Sequence, residues 1–156
     1  MRLTKFTDYA LRVLLYAASL EADRLATIEE TAKVFDISRA HLKKVVLMLT
    51  QNGYLEGVRG RTGGYRLARP ADQINLGVLI RVTEPDFGMV ECFLPGNACR
   101  ITQACRLPMV LNKALDNFLT TFDAYTLADM KIEARHFDMP LQPAYPMRGP
   151  KLSGTG

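Results

Sequence analysis

The sequence has no apolar run near the roughly 20 residues that a membrane-spanning helix requires. Its first fourteen residues also lack the basic, apolar and small-residue order of a signal peptide. These absences predict a cytoplasmic protein with no membrane partner. The chain further lacks the Gly-Lys-Ser/Thr of a nucleotide-binding loop, which argues against NTP binding.

Cysteine is scarce, and its distribution is uneven. The only three, Cys92, Cys99 and Cys105, fall within fourteen residues, and a Pro-Gly-Asn turn lies between the first two. In a reducing compartment, an odd set of clustered thiols indicates metal binding or redox chemistry rather than a disulfide framework. Three thiolates are one short of the four ligands that zinc or an iron-sulfur cluster usually takes. A fourth ligand must therefore come from elsewhere, or the metal keeps an open position.

Three other interpretations of the cysteines stay open at this point. The thiols could be small buried hydrophobes, the ligands of a structural zinc ion, or a redox switch that closes a disulfide between two of them. A zinc protein would be colourless, whereas a redox switch would need no metal.

Positive charge is concentrated in the front half of the chain. Residues 1–70 contain twelve Lys and Arg against seven Asp and Glu, whereas residues 71–156 contain eight against nine. Within Ser38–Arg69 the count is seven basic residues to one acidic residue, Glu56. Such a concentration of positive charge attracts polyanions without selecting a particular sequence.

The first predicted helix opens at Thr7 or Asp8 and ends near Leu20. Its apolar residues run nearly all the way round, so we expect it to be buried on most faces. Such a helix would contact a partner as well as its own core.

Two further helices, 27–35 and 38–51, are joined by a tight link at Asp36 and Ile37. The first has the Thr-x-x-Glu pattern of a capping box, and the second has an apolar stripe with basic residues off it. This order predicts a helix-turn-helix. The candidate DNA contacts of its second helix are Ser38, Arg39, His41, Lys43 and Lys44.

A predicted hairpin with strands 55–59 and 65–68 follows, around a glycine-rich turn. Its glycines allow the backbone to approach a phosphate closely. The candidate DNA contacts here are Arg59, Arg61, Thr62, Gly63, Tyr65 and Arg66. We therefore expect a mostly α fold with a small β-hairpin, in which residues 1–85 form a winged helix-turn-helix DNA-binding domain. Taken singly, each of these charges could instead belong to an ordinary solvated surface.

The remaining chain divides into three parts after a short helix at 76–82. Residues 86–106 form the cysteine-rich loop. Residues 107–137 form a long one-faced helix, beginning near Pro108, and a following short helix at 127–132. A long helix of this kind outside a winged-helix core usually pairs with a copy of itself, which predicts a homodimer. Residues 138–156 contain four prolines and are expected to be a disordered tail.

The opening MRLTKFTDYALRVLLYAA, the hairpin RGRTGGYRLARP and the cysteine loop before a long helix resemble the bacterial iron-sulfur transcription regulators that include IscR. The resemblance covers about residues 1–132. Within that family, ECF…CRITQACRLP and Asp8 are most similar to the nitric-oxide-sensing repressors of the NsrR type. IscR-like members have a histidine three residues after the last cysteine, where this chain has Pro108. That departure favours the nitric oxide sensor over the assembly regulator.

The resemblance implies a dimer whose cluster is held by three cysteines of one subunit and an aspartate of the other. Transferred to this chain, it makes Cys92, Cys99 and Cys105 the thiolate ligands and Asp8 the fourth ligand, with Arg12 orienting the carboxylate. We expect a 4Fe-4S rather than a 2Fe-2S cluster, although the spacing fixes neither. Asp8 also has a purely structural interpretation, because an acidic residue suits the first helical turn and can pair with Arg12 for about 0.2–0.5 kcal/mol.

The function that the resemblance implies is repression. A homodimer would bind double-stranded operator DNA, and nitrosylation of the cluster by nitric oxide would release it. Alternatives within the same class are an iron-sulfur or redox-responsive regulator of cluster assembly or iron homeostasis, and a zinc-stabilised repressor. The rival from another class is an iron-sulfur electron-transfer subunit, which gives no reason for the basic helix and hairpin. We expect no enzymatic activity and assign no catalytic residue.

Overall fold

The computed structural model describes residues 2–138. Over that range the chain forms five α-helices and one antiparallel two-stranded hairpin, which confirms the predicted mostly helical, winged helix-turn-helix class. In chain order the elements are α1 (Lys5–Ser19), α2 (Ile28–Phe35), α3 (Arg39–Gln51), β1 (Leu55–Val58), β2 (Gly64–Leu67), α4 (Leu76–Thr83) and α5 (Leu107–Asp123). Apart from Asp138, the predicted tail at 138–156 lies outside the described residues.

Helix α1 lies at the centre of the molecule, where it contacts α2, α3, β2 and α4. It begins at Lys5, not at Thr7 or Asp8 as expected, because Thr4 acts as the N-cap. The Thr4 hydroxyl accepts a hydrogen bond from the Thr7 N–H at 3.3 Å. Lys5 is the one residue of α1 that is exposed, so the prediction of a helix covered on most faces is confirmed.

Capping residues determine where the two helices of the helix-turn-helix begin and end. Thr27 accepts a hydrogen bond from the Glu30 N–H at 3.1 Å, but the Glu30 carboxylate pairs with Arg24 rather than completing the capping box. Asp36 ends α2 in the left-handed region, with φ 52°, so the chain turns within two residues. Ser38 then caps α3.

The hairpin, called the wing below, is joined to the helical domain by pairing of β2 with the chain near Ala26. Its strands run at 55–58 and 64–67, each within one residue of the prediction, and Leu55 lies opposite Leu67. Tyr65 also pairs with Ala26, through two backbone hydrogen bonds of 2.9 and 2.8 Å. Strand β2 of the wing is therefore fixed to the segment that leads into α2.

The core is built by apolar residues of α1, α3, α4 and both strands of the wing, together with Leu127 beyond α5. Its fully buried leucines are Leu14, Leu42, Leu49, Leu55, Leu79 and Leu127. The Leu127 N–H donates to the Ile74 carbonyl at 2.8 Å, and the Leu76 N–H donates to the Tyr125 carbonyl at 3.0 Å. These contacts anchor the C-terminal end of α5 beside the start of α4.

The short helix expected at 127–132 is not formed. A three-residue 3-10 turn, Ala128–Met130, occupies part of that stretch. The Asp129 carboxylate closes it by accepting from both the N–H and the hydroxyl of Thr126, at 2.7 and 2.8 Å. A second 3-10 segment, Ala134–Asp138, follows. Within the described residues, no helix combines the length and apolar character needed to cross a membrane.

Candidate metal centre and nucleic-acid interface

The segment with the cysteines is shaped by its own polar groups rather than by burial. Cys92 lies in a short 3-10 turn, and the chain then reverses at Gly96, which has a φ of 84°. The Asn97 side chain holds the reversal, since its oxygen accepts from the Cys99 N–H and its amide donates to the Thr102 hydroxyl, both at 2.9 Å. This is an Asx turn, which explains why Asn stands there.

A second turn leads to the last cysteine. The Thr102 hydroxyl donates to the Cys99 carbonyl at 2.7 Å, and the Cys105 N–H donates to the Ile101 carbonyl at 2.9 Å. Cys92 and Cys105 are half-buried and Cys99 is exposed, and all three are free thiols. The interpretation of these residues as buried hydrophobes is therefore wrong, because none of the three side chains is buried in the core.

The chemistry of this donor set fits a thiolate-bound metal or cluster, because three free thiols belong to one short, accessible segment of the chain. In the described part of the chain, no group of three or more His, Cys, Asp or Glu side chains is arranged closely enough to hold a metal ion. The structure thus brings the three cysteines into one segment without gathering their sulfurs at one point.

Asp8 lies in the first turn of α1, where both of its oxygens face Arg12. Arg12 Nε donates to one oxygen at 3.0 Å, and its Nη2 lies 2.7 Å from the other. Arg12 also lies over the Phe35 ring, 5.9 Å from its centroid. The pair is close to half exposed, so it stabilises the helix by only about 0.3–0.5 kcal/mol. Asp8 therefore forms the expected structural pair within one subunit.

Glu84 is a residue that the sequence reasoning missed. It follows α4, just before the cysteine segment, and one of its oxygens accepts from the Thr4 N–H at 2.8 Å and from the Thr4 hydroxyl at 3.1 Å. It therefore joins the start of α1, where Asp8 lies, to the start of the cysteine segment. A cavity of about 430 Å³ opens beside this contact, lined by Thr4, Glu84, Phe87, Met89, Leu115 and Phe118 among others. No sequence signal marks a contact between residues eighty positions apart.

The basic residues of α3 all face solvent, but they differ in their partners. Arg39 pairs with Glu29 at 2.8 Å. Lys43 and Lys44 have no carboxylate within salt-bridge distance among the described residues. The Ser38 hydroxyl accepts from the His41 N–H at 3.3 Å, so its role in this structure is to cap the helix. The two lysines are the charges of α3 that can meet a phosphate without giving up a partner.

The tip of the wing is a tight, basic turn. Gly60 has a φ of 126°, and a Cβ on Gly63 would lie 2.4 Å from the Val58 carbonyl oxygen, so both positions require glycine. Arg59, Arg61 and Thr62 are exposed beside them. At the base of the wing, Arg66 is exposed and pairs across the strands with Glu56 at 3.0 Å.

Tyr65, expected among the DNA contacts, belongs to the core instead. It is only 2% exposed, and its hydroxyl lies 2.6 Å from that of Thr31. Burial raises the pKa of the Tyr65 phenol to about 12. The correction follows from strand geometry, because alternate residues of a strand face opposite sides and Tyr65 faces inward.

Arg69 also has a structural role. Its guanidinium donates to the Gly53 and Asn52 carbonyls, at 2.9 and 3.0 Å, and lies 4.8 Å from the centroid of the Tyr54 ring. These contacts satisfy carbonyls just after α3 and fix the entry to the wing.

Comparison with known proteins places the chain among regulators of transcription. A model of the Rrf2 family, described as an iron-dependent transcriptional regulator, matches residues 3–133. The HTH-type transcriptional regulator NsrR of Geobacillus kaustophilus (strain HTA426) is 47% identical over 131 residues, which cover 83% of this chain and 89% of that protein.

Solved structures agree on the fold. IscR of T. potens aligns with a TM-score of 0.64 at 24% identity, over 83% of this chain and 85% of its own. CymR, the global cysteine regulator of B. subtilis, aligns with a TM-score of 0.63 at 24% identity, over 87% and 98%. At these identities the alignments establish architecture and no more.

Proposed function

The chain belongs to the Rrf2 family of transcriptional regulators, and from that premise we propose that it is a homodimeric iron-sulfur repressor that releases operator DNA in response to nitric oxide. The family-level identity confirms the resemblance inferred from the opening, the wing and the cysteine loop. The nitric oxide response and the dimer are the proposed additions, and both are what the resemblance of the cysteine loop to repressors of the NsrR type implies. The observation that supports the proposal best is a set of three accessible, unpaired thiols beside a basic winged helix-turn-helix.

DNA binding is supported by charge that lies on one connected unit. Lys43 and Lys44 on α3 are exposed, as are Arg59 and Arg61 at the wing tip, and none of the four pairs with a carboxylate in the described residues. Strand β2 is hydrogen-bonded to the segment before α2, so the wing and the helix-turn-helix belong to one hydrogen-bonded unit. Two copies would place their α3 helices in major grooves about 34–36 Å apart.

Cys92, Cys99 and Cys105 would hold the cluster of their own subunit, and Asp8 of the partner subunit would supply the fourth ligand. When bound, the cluster supplies iron to which nitric oxide can add. Asp8 would have to turn from its own Arg12, which would then orient the carboxylate through one remaining oxygen. An oxygen ligand is harder and more readily displaced than a fourth thiolate. A 4Fe-4S cluster is favoured over a 2Fe-2S cluster.

Helix α1 offers the route from the cysteine segment to the DNA-binding surface. Asp8 lies at the start of α1, the helix contacts α3, and Glu84 joins its N-cap to the segment with the cysteines. Fixing Asp8 on the partner would therefore restrict the spacing of the two α3 helices. To shift a population from 99:1 to 1:99, this restriction must favour the binding state by about 5.5 kcal/mol.

Anaerobic purification tests the proposal directly. We expect coloured protein with iron and sulfide, which retains a selected operator duplex and loses it on exposure to nitric oxide. Cys99→Ala should lose colour and tight binding together, whereas the neighbouring change Ala98→Ser should lose neither. Protein that contains zinc, or that binds its operator equally well without colour, would contradict cluster control.

The iron-dependent character of the family favours a second candidate, which is response to iron supply. In that case, removal of iron by a chelator should release the operator, while brief exposure to nitric oxide should leave the complex intact. The same binding assay distinguishes the two signals.

A further inference from the structure

Helix α3 has an apolar residue at the centre of its solvent-facing surface. Leu42, Val45 and Leu49 point into the core and are almost fully buried, whereas Leu47 is 58% exposed. At 100° per residue, Leu47 lies nearly opposite the buried stripe. The side chains around it on the same face are also exposed: Ala40, Lys43, Lys44 and Gln51.

A lone exposed leucine needs no explanation on most surfaces. Leu47 differs because it is one helical turn from both Lys43 and Lys44, whose charges have no carboxylate partner among the described residues. This arrangement disfavours a second copy of the same face as the partner, since the lysines would meet like charge. It suits a polyanion that presents an apolar group between its charges.

The major groove of DNA is such a partner, because thymine places a 5-methyl group among hydrogen-bonding base edges and between two phosphate backbones. We propose that Leu47 is a specificity-determining residue that contacts a thymine methyl in each operator half-site. Ala40 lies on the same face seven residues earlier, a rise of about 10.5 Å. That distance is close to three base-pair steps of about 3.4 Å, so Ala40 is positioned for a second apolar contact. The inference rests on the proposed DNA binding and names a feature of the operator.

The test replaces thymine by uracil, which removes the methyl and leaves every hydrogen-bonding group of the base. A duplex is first selected from a random pool by anaerobically purified wild-type protein. Each thymine is then replaced in both half-sites. At one position, we expect the replacement of thymine by uracil to weaken wild-type binding by about four-fold per half-site, the equivalent of about 0.8 kcal/mol for one buried methyl group. In the duplex substituted in both half-sites, binding should therefore be about sixteen-fold weaker.

Leu47→Ala should bind the original duplex more weakly and should lose most of its response to uracil at that position, with an unchanged salt dependence. Val78→Ala is the matched control, because Val78 is 51% exposed on α4 and its truncation should leave the uracil response intact. Thermal unfolding of both variants should match the wild type, since neither side chain is in the core.

Two results would overturn the assignment of Leu47. One is wild-type protein that tolerates uracil at every thymine of the selected duplex. The other is a Leu47→Ala variant that keeps the full response. In both cases, tight binding of the selected duplex would leave the proposed function standing. If no duplex is retained from the pool, the proposed function fails together with this inference.

Discussion

Exposed positive charges near the DNA-binding surface fall into two kinds, depending on whether each already has an acidic partner. Arg39 and Arg66 are paired with Glu29 and Glu56, so moving either onto a phosphate exchanges one ion pair for another. A charge without a partner gains more from the same contact. Phosphate contacts also release counterions, which makes each one visible in the salt dependence of binding.

Lys44→Ala should therefore weaken operator binding and reduce the slope of log K against log salt by about 0.9, the value of one phosphate contact. Arg39→Ala should reduce the slope by less, because Arg39 is already paired with Glu29 and therefore neutralises a phosphate less fully than Lys44 does. Lys131→Ala, which removes an exposed charge outside the helix-turn-helix and the wing, is the control. Titration of binding between low and moderate salt measures all three, and an unchanged slope for Lys44→Ala would mean that this side chain faces solvent in the complex.

Between elements, the contact of α4 with α5 includes an exposed ion pair. Arg81 donates two hydrogen bonds to the Asp123 carboxylate, at 2.5 and 2.9 Å, and hydrogen bonding from Arg81 lowers the pKa of Asp123. A Cβ on Gly77 would lie 1.9 Å from an Asp123 oxygen, so glycine leaves the space for this pair.

The lowered pKa gives this pair a definite pH dependence. Because the folded pKa is below the unfolded value of about 3.9, the pair stabilises the fold above that pH, and its contribution is lost as the pH falls through the folded pKa. Asp123→Asn should therefore lower the unfolding temperature at pH 7, and the gap from the wild type should close in acid. Thermal unfolding followed from pH 7 to pH 2 checks this, and a gap that persists at pH 2 would contradict it. Asp72→Asn, which alters a carboxylate without an ion pair among the described residues, is the control.

A second contact between elements joins the end of the described chain to the helix-turn-helix. Phe137 meets Tyr16 and Phe35 edge to face, at centroid distances of 5.1 and 5.8 Å. Such pairs stabilise by about 0.5–1.5 kcal/mol each, so Phe137→Ala should destabilise the fold by about 1–3 kcal/mol. Ile132→Ala, a truncation of a more exposed apolar side chain, should cost much less. Urea unfolding measures both, and equal effects would mean that the aromatic contact adds nothing.

At the scale of the whole molecule, the features that could be predicted from the sequence are those set by residues close together in the chain. Thr27 and Ser38 mark their helix starts by chemistry that acts over three residues, and the predicted helix-turn-helix follows from them. Contacts over long separations, such as Thr4 with Glu84, leave no local trace. Tyr65 was misassigned for a related reason, because composition marks the wing as basic while the pairing of Tyr65 with Ala26 decides which side chains face inward. The gathering of the three sulfurs at one point stays a prediction.

The N-terminal half of α5 carries large apolar side chains that a single subunit leaves exposed to solvent. Leu107, Met109 and Val110 are each more than half exposed, and no residue of the helix is fully buried. Three large apolar side chains within four residues are unusual on a free surface and indicate an interface, which the proposed dimer would cover.

Val110→Asp should accordingly weaken the dimer, because a carboxylate would be buried without a partner at the interface. Light scattering over a dilution series should find the wild type at twice the chain mass and the variant closer to a monomer. Ile132→Asp is a matched change from apolar to acidic, outside α5, and should stay dimeric. Since operator binding needs two α3 helices at a fixed spacing, the Val110 variant should also lose affinity while keeping its helical content. A variant that remains dimeric at the lowest concentrations would place the interface elsewhere on the molecule.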